Sequence, residues 1–596
     1  MSETVSDFVV RRLAQWGVRR IFGYPGDGIN GVLGALNRDD HGMEFVQTRH
    51  EELAAFMASG HAKFTGELGV CLATSGPGAI HVLNGLYDAK MDHVPVLAIV
   101  GQQARASLGG DYQQEVDLTS LFKDVAHEYV HMATTPEQVR HLLDRAIRTA
   151  LATRSVTCLV LPNDLQRLNA ADAPHEHGTV HSGPGYRLPS VVPQRRDLER
   201  AAEILNQGER IAMLVGAGAL QARDEVIRTA EVLDAGVAKS LLGLAVVPDD
   251  VPFCTGSIGL LGTRPSVDLM NECDTLLMIG SSFPYSEFLP KEGRARGVQI
   301  DIDGKMLGMR YPMDLNLVGD AAETLRALLP LLRPRTERKF QQRVIGWVDD
   351  WRKLLEERAQ TAAEPINPQL VFRQLSSRLP TNTILTADTG SVTSFVARDV
   401  RITGDMMVSF SGGLATMGPA IPYGIAAKFA FPERPVVACV GDGAMQLNGL
   451  NGLITLAKYR ERWANPCFVV VVMNNRDLNM VTWEQRVTEG QPKYAASQEL
   501  PDLDYAKYAE LLGLGGARVT KPEELPAALD AAFRADRPFV LDVLTDPNVP
   551  PIPPHISAEQ AGSYARALLS GDADALAVLK RSVASLFPSL GKRTDR

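Results

Sequence analysis

The chain has 596 residues, a formal net charge of -9, and ordinary apolar (45%) and charged (22%) fractions, the profile of a soluble globular protein. That length fits about three or four domains, and so mild an acidic balance argues against nucleic acid as a partner. No apolar run reaches the roughly 18 residues of a membrane span, the N-terminus shows no signal-peptide core, and six scattered cysteines without a C-x-x-C pair fit a reduced, cytoplasmic protein.

In chain order, Val5 to Trp16 has apolar residues at helical spacing, and Val18 to Phe22 reads as a strand. A tight loop, 23–28, precedes a helix from Ile29 to Asn37. The strand Met43 to Gln47 runs into Thr48, Arg49, His50, Glu51 and Glu52, and an Ala-rich helix follows from Leu53 to Phe64. Glu51 thus stands at a strand-to-helix junction, where the helix dipole favours a carboxylate. The strand 69–74 ends in Ser75, Gly76, Pro77 and Gly78, and the strand 94–100 ends in Gly101 and Gln102. A last strand covers 157–161, and 168–192 reads as a linker. Alternating strands and helices predict a parallel sheet with right-handed crossovers.

The middle third repeats the theme. A strand at 210–215 leads into Gly216 and Gly218 and a helix to Leu233. Residues 255–262 form a glycine-studded loop, 275–280 a strand ending at Ser281, and 299–303 another. Residues 333–365 predict a connecting helix with Trp347, Trp351, Leu354 and Leu355 at helical spacing. In the last third a strand at 383–387 meets Asp388, Gly390 and Ser391, and a glycine-rich stretch runs from Ser409 to Gly418.

Two further apolar runs, 435–440 and 467–473, end respectively in Gly441, Asp442 and Gly443 and in Asn474 and Asn475. Both ends fall at the carboxyl edge of one parallel sheet, where open α/β folds bind ligands. A carboxylate and an amide oxygen there suit Mg2+, which takes its remaining ligands from phosphate oxygens. The glycines let backbone amides and a helix start approach a pyrophosphate.

This pattern resembles the diphosphate motif of thiamin-diphosphate enzymes. The resemblance implies Asp442 and Asn475 as metal ligands, with the Asp477 carbonyl as a third. The spacing between Asp442 and Asn475 is longer than usual in the family, and residues 459–466 read as the lengthened loop. The stretch Arg49 to Glu52 is similar to the family segment whose first glutamate is catalytic. This implies that Glu51 bonds the pyrimidine ring and relays a proton. The string from Thr74 to Gln102 resembles the pyruvate oxidase branch, and Gln114 matches its acceptor-side glutamine, although Gln113 replaces the usual phenylalanine. Val481 and Glu484 match acyl-side residues. On the thiamin side the resemblance takes in Ser75, Gly76, Asn84, Asp388, Gly390, Thr416, Gly441, Gly443 and Ala444, with Met417 as the wedge that bends the cofactor.

The middle third is similar to the FAD segments of pyruvate oxidases and pyruvate:quinone oxidoreductases. Gly216 and Gly218 then meet the flavin diphosphate, with Ser257 and Ser282 in the same site. Phe283, Pro284 and Tyr285 flank the flavin, and Asp301, Asp303 and Asp320 lie at the ribose and adenine. Relatives carry Gly-Lys where this chain has Gly243 and Leu244.

The expected fold class is α/β, with three doubly wound parallel-sheet domains and a helical C-terminal tail. They are a pyrimidine-binding domain at 1–175, an FAD-type domain at 190–335, a diphosphate- and Mg2+-binding domain at 360–546, and the tail at 547–596. The implied function is oxidative decarboxylation of pyruvate with thiamin diphosphate, Mg2+ and FAD. The alternatives are an acetolactate synthase-like carboligase with a structural flavin and a non-catalytic protein on the same fold; intact Glu51, Asp442 and Asn475 argue against the latter. The resemblance also implies a shared active site between subunits of a homotetramer. In the tail, Ser557 caps one helix, Gly571 breaks it, and 574–587 predicts a second with Leu576, Leu579, Val583, Leu586 and Phe587 on one side. Lys592, Arg593 and Arg596 follow. The tail resembles that of pyruvate:quinone oxidoreductases, which implies peripheral contact with the inner face of the membrane.

Overall fold

The computed structural model describes residues 3–38, 40, 42–172 and 174–586. Three six-stranded, fully parallel sheets follow one another along the chain. The first contains β1 (Arg20–Gly23), β2 (Glu44–Gln47), β3 (Gly69–Ala73), β4 (Val96–Gln102), β5 (Val130–Met132) and β6 (Val156–Pro162), in the order β2-β1-β3-β4-β6-β5. The second contains β7 (Ile211–Val215), β8 (Gly236–Lys239), β9 (Cys254–Ser257), β10 (Thr275–Ile279), β11 (Arg296–Asp301) and β12 (Leu315–Val318), in the order β12-β11-β10-β7-β8-β9. The third contains β13 (Ile384–Ala387), β14 (Met407–Ser409), β15 (Val436–Gly441), β16 (Phe468–Asn474), β17 (Gly515–Val519) and β18 (Phe539–Leu544), in the order β14-β13-β15-β16-β18-β17. Helices cover both faces of such sheets, so central strands bury both sides. That is why β16 reads as an unbroken apolar run.

Each sheet switches from one side to the other at one central point: between β1 and β3, between β7 and β10, and between β13 and β15. A crevice opens at the carboxyl ends of the strands at each such point. In the first crevice a Cβ on Gly26 would sit 2.4 Å from Thr74. In the second a Cβ on Gly216 would meet the Gly280 carbonyl at 2.4 Å. In the third, Gly390 (φ 122°) and Gly441 face open space, where a side chain would fill the cradle.

The first and third sheets share one apolar core. The helices Glu51–Thr65 and Ala420–Ala430 pack together there, with Gly60 lying flat against Tyr423. Beside them Lys63 is buried between Asp88 (3.1 Å) and Asp92 (2.6 Å) and donates to the Tyr423 hydroxyl. Asp92 in turn accepts the Gly412 and Gly413 amides. Such a pair is costly to bury and held only because every donor and acceptor is used.

Several local expectations change. The first strand starts at Arg20 rather than Val18, because Trp16 to Val18 are spent closing the preceding helix through hydrogen bonds back to Arg12 and Leu13. The glycine-rich loop at 255–262 begins as the edge strand β9. The connecting helix runs from Lys339 to Ala359 and buries Val344, Val348, Trp351 and Leu355; Trp347 packs edge-on against Phe340 at its border. Leu244, where the family resemblance implies lysine, is buried in the core of the third sheet, so an apolar contact occupies that position.

In the tail, Ser557 and Gln560 form a reciprocal cap on the helix Ala558–Leu569, and Gly571 (φ 94°) ends it. The second helix, Ala575–Leu586, buries Val578, Ser582 and Ser585 and leaves Leu576, Leu579, Val583 and Leu586 exposed. Phe587, Lys592, Arg593 and Arg596 lie outside the described residues.

Candidate active site

The third crevice is built on Asp442, at the end of β15. It is 3% exposed and has no cationic partner among the described residues. Its Oδ1 accepts the Gly443 amide at 2.9 Å, and its Oδ2 accepts the amides of Asn475 (2.9 Å) and Arg476 (2.5 Å). Burial pushes its carboxyl up to about 7, against the pull of these amides and with the Asp477 charge adding to the rise. Arg476 takes φ 56°, the turn that swings these amides onto Asp442. Asn475 presents Oδ1 beside it, accepting the Asp477 amide at 3.1 Å. The Asp477 side chain points away, to Thr482 (3.1 Å), Asn479 (3.1 Å) and Lys493 (3.2 Å), which leaves its backbone carbonyl as the group nearest the role inferred for it. A buried, uncompensated carboxylate beside an amide oxygen fits a hard divalent cation.

Met417 reaches this group from the loop after β14: its methyl lies 3.2 Å from where a Gly443 Cβ would be. Asp388, fully buried, accepts the Gly418 amide at 2.6 Å and so fixes the Met417 turn. Gly390 leads into a helix on which Ser391 donates to Asn479 at 3.0 Å. Ala444 is buried in the helix start that follows Asp442.

The first sheet supplies the facing half. Glu51 is the first residue of its helix, and His50 caps it by accepting the Glu52 amide at 3.2 Å. The Glu51 carboxylate pairs with His81 Nδ1 at 3.0 Å, and the His81 ring stacks on His50 at 4.6 Å. Gly78 leaves room at the other carboxylate oxygen, where a Cβ would sit 3.2 Å away. Glu52 accepts from both Asn84 and Asn448, and Asn84 also donates to Thr416 at 3.0 Å, which stitches the two halves together. Within the chain Glu51 makes no hydrogen bond to Asp442, Asn475 or Asp477.

His81, Glu52 and Asn448 are the residues that sequence reasoning passed over. His81 ends the short helix Pro77–His81, and its role comes from a contact across 30 residues of chain to Glu51 that no local pattern carries. Ser75, Gly76 and Gln114 meet at the first crevice: the Ser75 hydroxyl donates to Gln114 Oε1 at 3.2 Å. Val481 and Glu484 stand exposed on the short helix Asn479–Glu484.

At the second crevice Gly216, Gly218 and Gly280 touch without side chains, and the Gly218 amide donates to the Gly280 carbonyl at 2.9 Å. Phe283 meets Tyr285 edge-to-face at 5.6 Å, with Tyr285 and Pro284 exposed and Ser282 half-buried. Asp301 accepts the Asp303 amide at 2.9 Å, and burial raises its carboxyl. Asp303 caps the next turn through the Lys305 amide, and Asp320 caps a helix through the Glu323 amide. Ser257 Oγ lies 3.1 Å from the carbonyls of both Leu261 and Ala397, which share its one proton, so its hydroxyl ties two domains together.

A metal-ready carboxylate on one parallel sheet, a glutamate–histidine pair on another and a glycine-lined crevice on a third define an α/β enzyme built around a diphosphate-bearing cofactor. Residues 3–121 match the N-terminal TPP-binding domain of thiamine pyrophosphate enzymes, 198–328 the central domain and 388–543 the C-terminal TPP-binding domain. The chain is 36% identical to a putative thiamine pyrophosphate-containing protein of Bacillus subtilis (strain 168), covering 98% of this chain and 100% of that one. It is 30% identical to a pyruvate oxidase of Lactiplantibacillus plantarum over 90% of this chain and 89% of the relative. It is 31% identical to the acetolactate synthase isozyme 3 large subunit of Escherichia coli (strain K12) over 91% and 94%. The chain belongs to the thiamine pyrophosphate enzyme family and is a thiamine-diphosphate-dependent enzyme.

Proposed function

We propose that this protein oxidatively decarboxylates pyruvate with thiamine diphosphate, Mg2+ and FAD, as a pyruvate oxidase or a pyruvate:quinone oxidoreductase. The observation that carries the reading is the second crevice: three side-chain-free glycines at a switch point, with Phe283 and an exposed Tyr285 just beyond Gly280 and against Gly259, an arrangement that fits a dinucleotide and a flat ring. When bound, thiamine diphosphate supplies the carbanion chemistry and FAD the electron sink.

The protein's part is to hold, orient and move one proton. Asp442, Asn475 and the Asp477 carbonyl hold Mg2+ and, through it, the diphosphate. Met417 and Asp388 set the shape of the pocket. Glu51 relays a proton at the pyrimidine ring, with His81 Nδ1 3.0 Å away fixing its carboxylate. Gln114, Val481 and Glu484 line the side where the keto acid enters. The resemblance to thiamin-diphosphate enzymes supports a site completed by a second copy in a homotetramer, and the unpaired cysteines support a cytoplasmic protein. The exposed row Leu576, Leu579, Val583 and Leu586 supports peripheral membrane contact by the tail.

A second reading, acetolactate synthesis with a structural flavin, is favoured by the 31% identity to the acetolactate synthase subunit and by Gln113 in place of phenylalanine. Anaerobic addition of pyruvate to the purified protein separates the two. Bleaching of the flavin absorbance, reversed by O2 or a quinone, is the expected result. An unchanged flavin with acetolactate formed overturns it.

A further inference from the structure

The Ser75 hydroxyl is 0% exposed and sealed behind Gly28, where a Cβ would come within 2.5 Å of it. Two groups reach it. Gln103 Nε2 donates to Ser75 Oγ at 3.3 Å, and Ser75 Oγ donates to Gln114 Oε1 at 3.2 Å. Gln103 lies just past the end of β4, 9% exposed, with its own amide fixed on Gln102 Oε1 at 2.8 Å. Gln114 sits in a left-handed turn (φ 62°) against Gly76 (φ 58°), in a loop tied by the Glu115 carboxylate to the amides of Gly109 (2.6 Å) and Tyr112 (3.1 Å).

A hydroxyl has a single proton to give, whereas a carboxamide has a distinct donor end and acceptor end. The chain of bonds therefore has a direction. Because the Gln103 NH2 fills a lone pair of Ser75, the Ser75 proton goes to Gln114 Oε1. Gln114 is then held by its oxygen, which leaves its NH2 as the end free to donate.

We propose that Gln103 is a positioning residue that fixes this direction, so that Gln114 recognises the substrate through an oxygen, the carboxylate of the keto acid. The identity of that substrate rests on the function proposed above; the direction of the bonds does not. An acceptor-only side chain at this position would take the Ser75 proton for itself and leave Gln114 Oε1 without a donor.

The test uses Gln103→Glu and Gln103→Met in the full-length, cofactor-loaded enzyme. The crystal structure of Gln103→Glu is expected to show Ser75 Oγ bonded to the introduced carboxylate and parted from Gln114; a Ser75–Gln114 contact kept as in the wild type overturns the proposal whatever the substrate is. In kinetics, KM for pyruvate and Kd for the unreactive analogue oxamate are expected to rise about tenfold, the size of one net hydrogen bond. The kcat should stay within about threefold. Gln103→Met is expected to give a smaller rise, and Ser75→Ala combined with Gln103→Glu no more than Ser75→Ala alone. Unchanged KM and Kd in Gln103→Glu, or effects that add to those of Ser75→Ala, overturn it. A wild type that does not consume pyruvate refutes the proposed function and leaves the structural outcome to decide this one.

Discussion

Arg486 and Asp572 form a bidentate ion pair sealed from solvent, with Nε to Oδ2 at 2.8 Å, Nη2 to Oδ1 at 2.9 Å and side chains 1% and 0% exposed. It joins the segment that follows Val481 and Glu484 to the junction between the two tail helices. Asp572 also accepts the Lys493 amide at 3.0 Å, and Lys493 Nζ reaches the Asp477 carboxylate. Asp572→Ala leaves the buried guanidinium with only the longer contact to Asp574 (3.4 Å), at a cost of about 3 kcal/mol to the local packing. Limited proteolysis should then release the tail first, while the three sheets stay resistant. Arg486→Met combined with Asp572→Leu should recover most of the resistance. A tail as resistant in Asp572→Ala as in the wild type would contradict this.

Glu51→Gln keeps the shape of the helix start and removes the proton. Thiamine diphosphate should bind within a few-fold of wild type, while decarboxylation falls by about 10²–10⁴. His81→Ala should lower the rate less, since Glu51 remains. Steady-state CO2 release and calorimetry of cofactor binding check both. Turnover in Glu51→Gln close to that of wild type refutes the role given to this residue.

Asp442→Ala removes the buried carboxylate at the end of β15. Mg2+-dependent binding of thiamine diphosphate should be lost, because the diphosphate then has no cation bridge to the protein. The measurement is calorimetric titration of the cofactor with and without Mg2+. Unchanged affinity would mean that the metal is held elsewhere.

Much of this architecture is legible in the sequence because parallel sheets bury both faces. Runs such as 435–440 and 467–473 can only be central strands, and their ends mark the crevices. Asp442, Asn475 and Glu51 stand at such ends and could be picked out directly. The short strands β5, β8 and β9 could not, since three or four residues carry too little pattern. His81 and Gln103 were hidden for another reason: their roles come from contacts across 30 and 28 residues of chain, to Glu51 and Ser75, that no local periodicity encodes. The caps at Asp303 and Asp320 show the converse. A carboxylate after a strand is as often a helix cap as a ligand, and only the bonds to the next amides tell them apart.

The exposed row on the last tail helix makes a prediction about surfaces. Vesicles containing anionic lipid should carry the full-length protein on flotation, more so with pyruvate present, and should not carry a chain ending at Gly571. One short amphipathic helix binds weakly, so salt should weaken flotation where basic residues contribute. Equal flotation of both chains under every condition would refute tail-driven binding.

Asp388 gives the protein a pH dependence whose sign can be worked out. Burial pushes its carboxyl up to about 7, against the pull of the Gly418 and Ala420 amides. In the unfolded chain an aspartate titrates near 3.9. Between about pH 4 and 7 the folded protein therefore holds a proton that the unfolded chain has lost, and stability falls as pH rises. The contribution is fully present below the unfolded value and is lost as pH passes the folded one, at up to about 1.4 kcal/mol per pH unit. Asp442, Asp399 and Asp542 are raised by burial too, so a slope in the wild type alone would not identify Asp388. Asp388→Asn isolates it. The uncharged amide keeps an oxygen for the Gly418 amide but has no proton to lose. Thermal unfolding of cofactor-free wild type and Asp388→Asn, compared from pH 5 to 8, should show the variant gaining on the wild type as pH rises. Parallel curves across that range would mean that Asp388 does not titrate there and that its carboxylate is stabilised by more than the two amides.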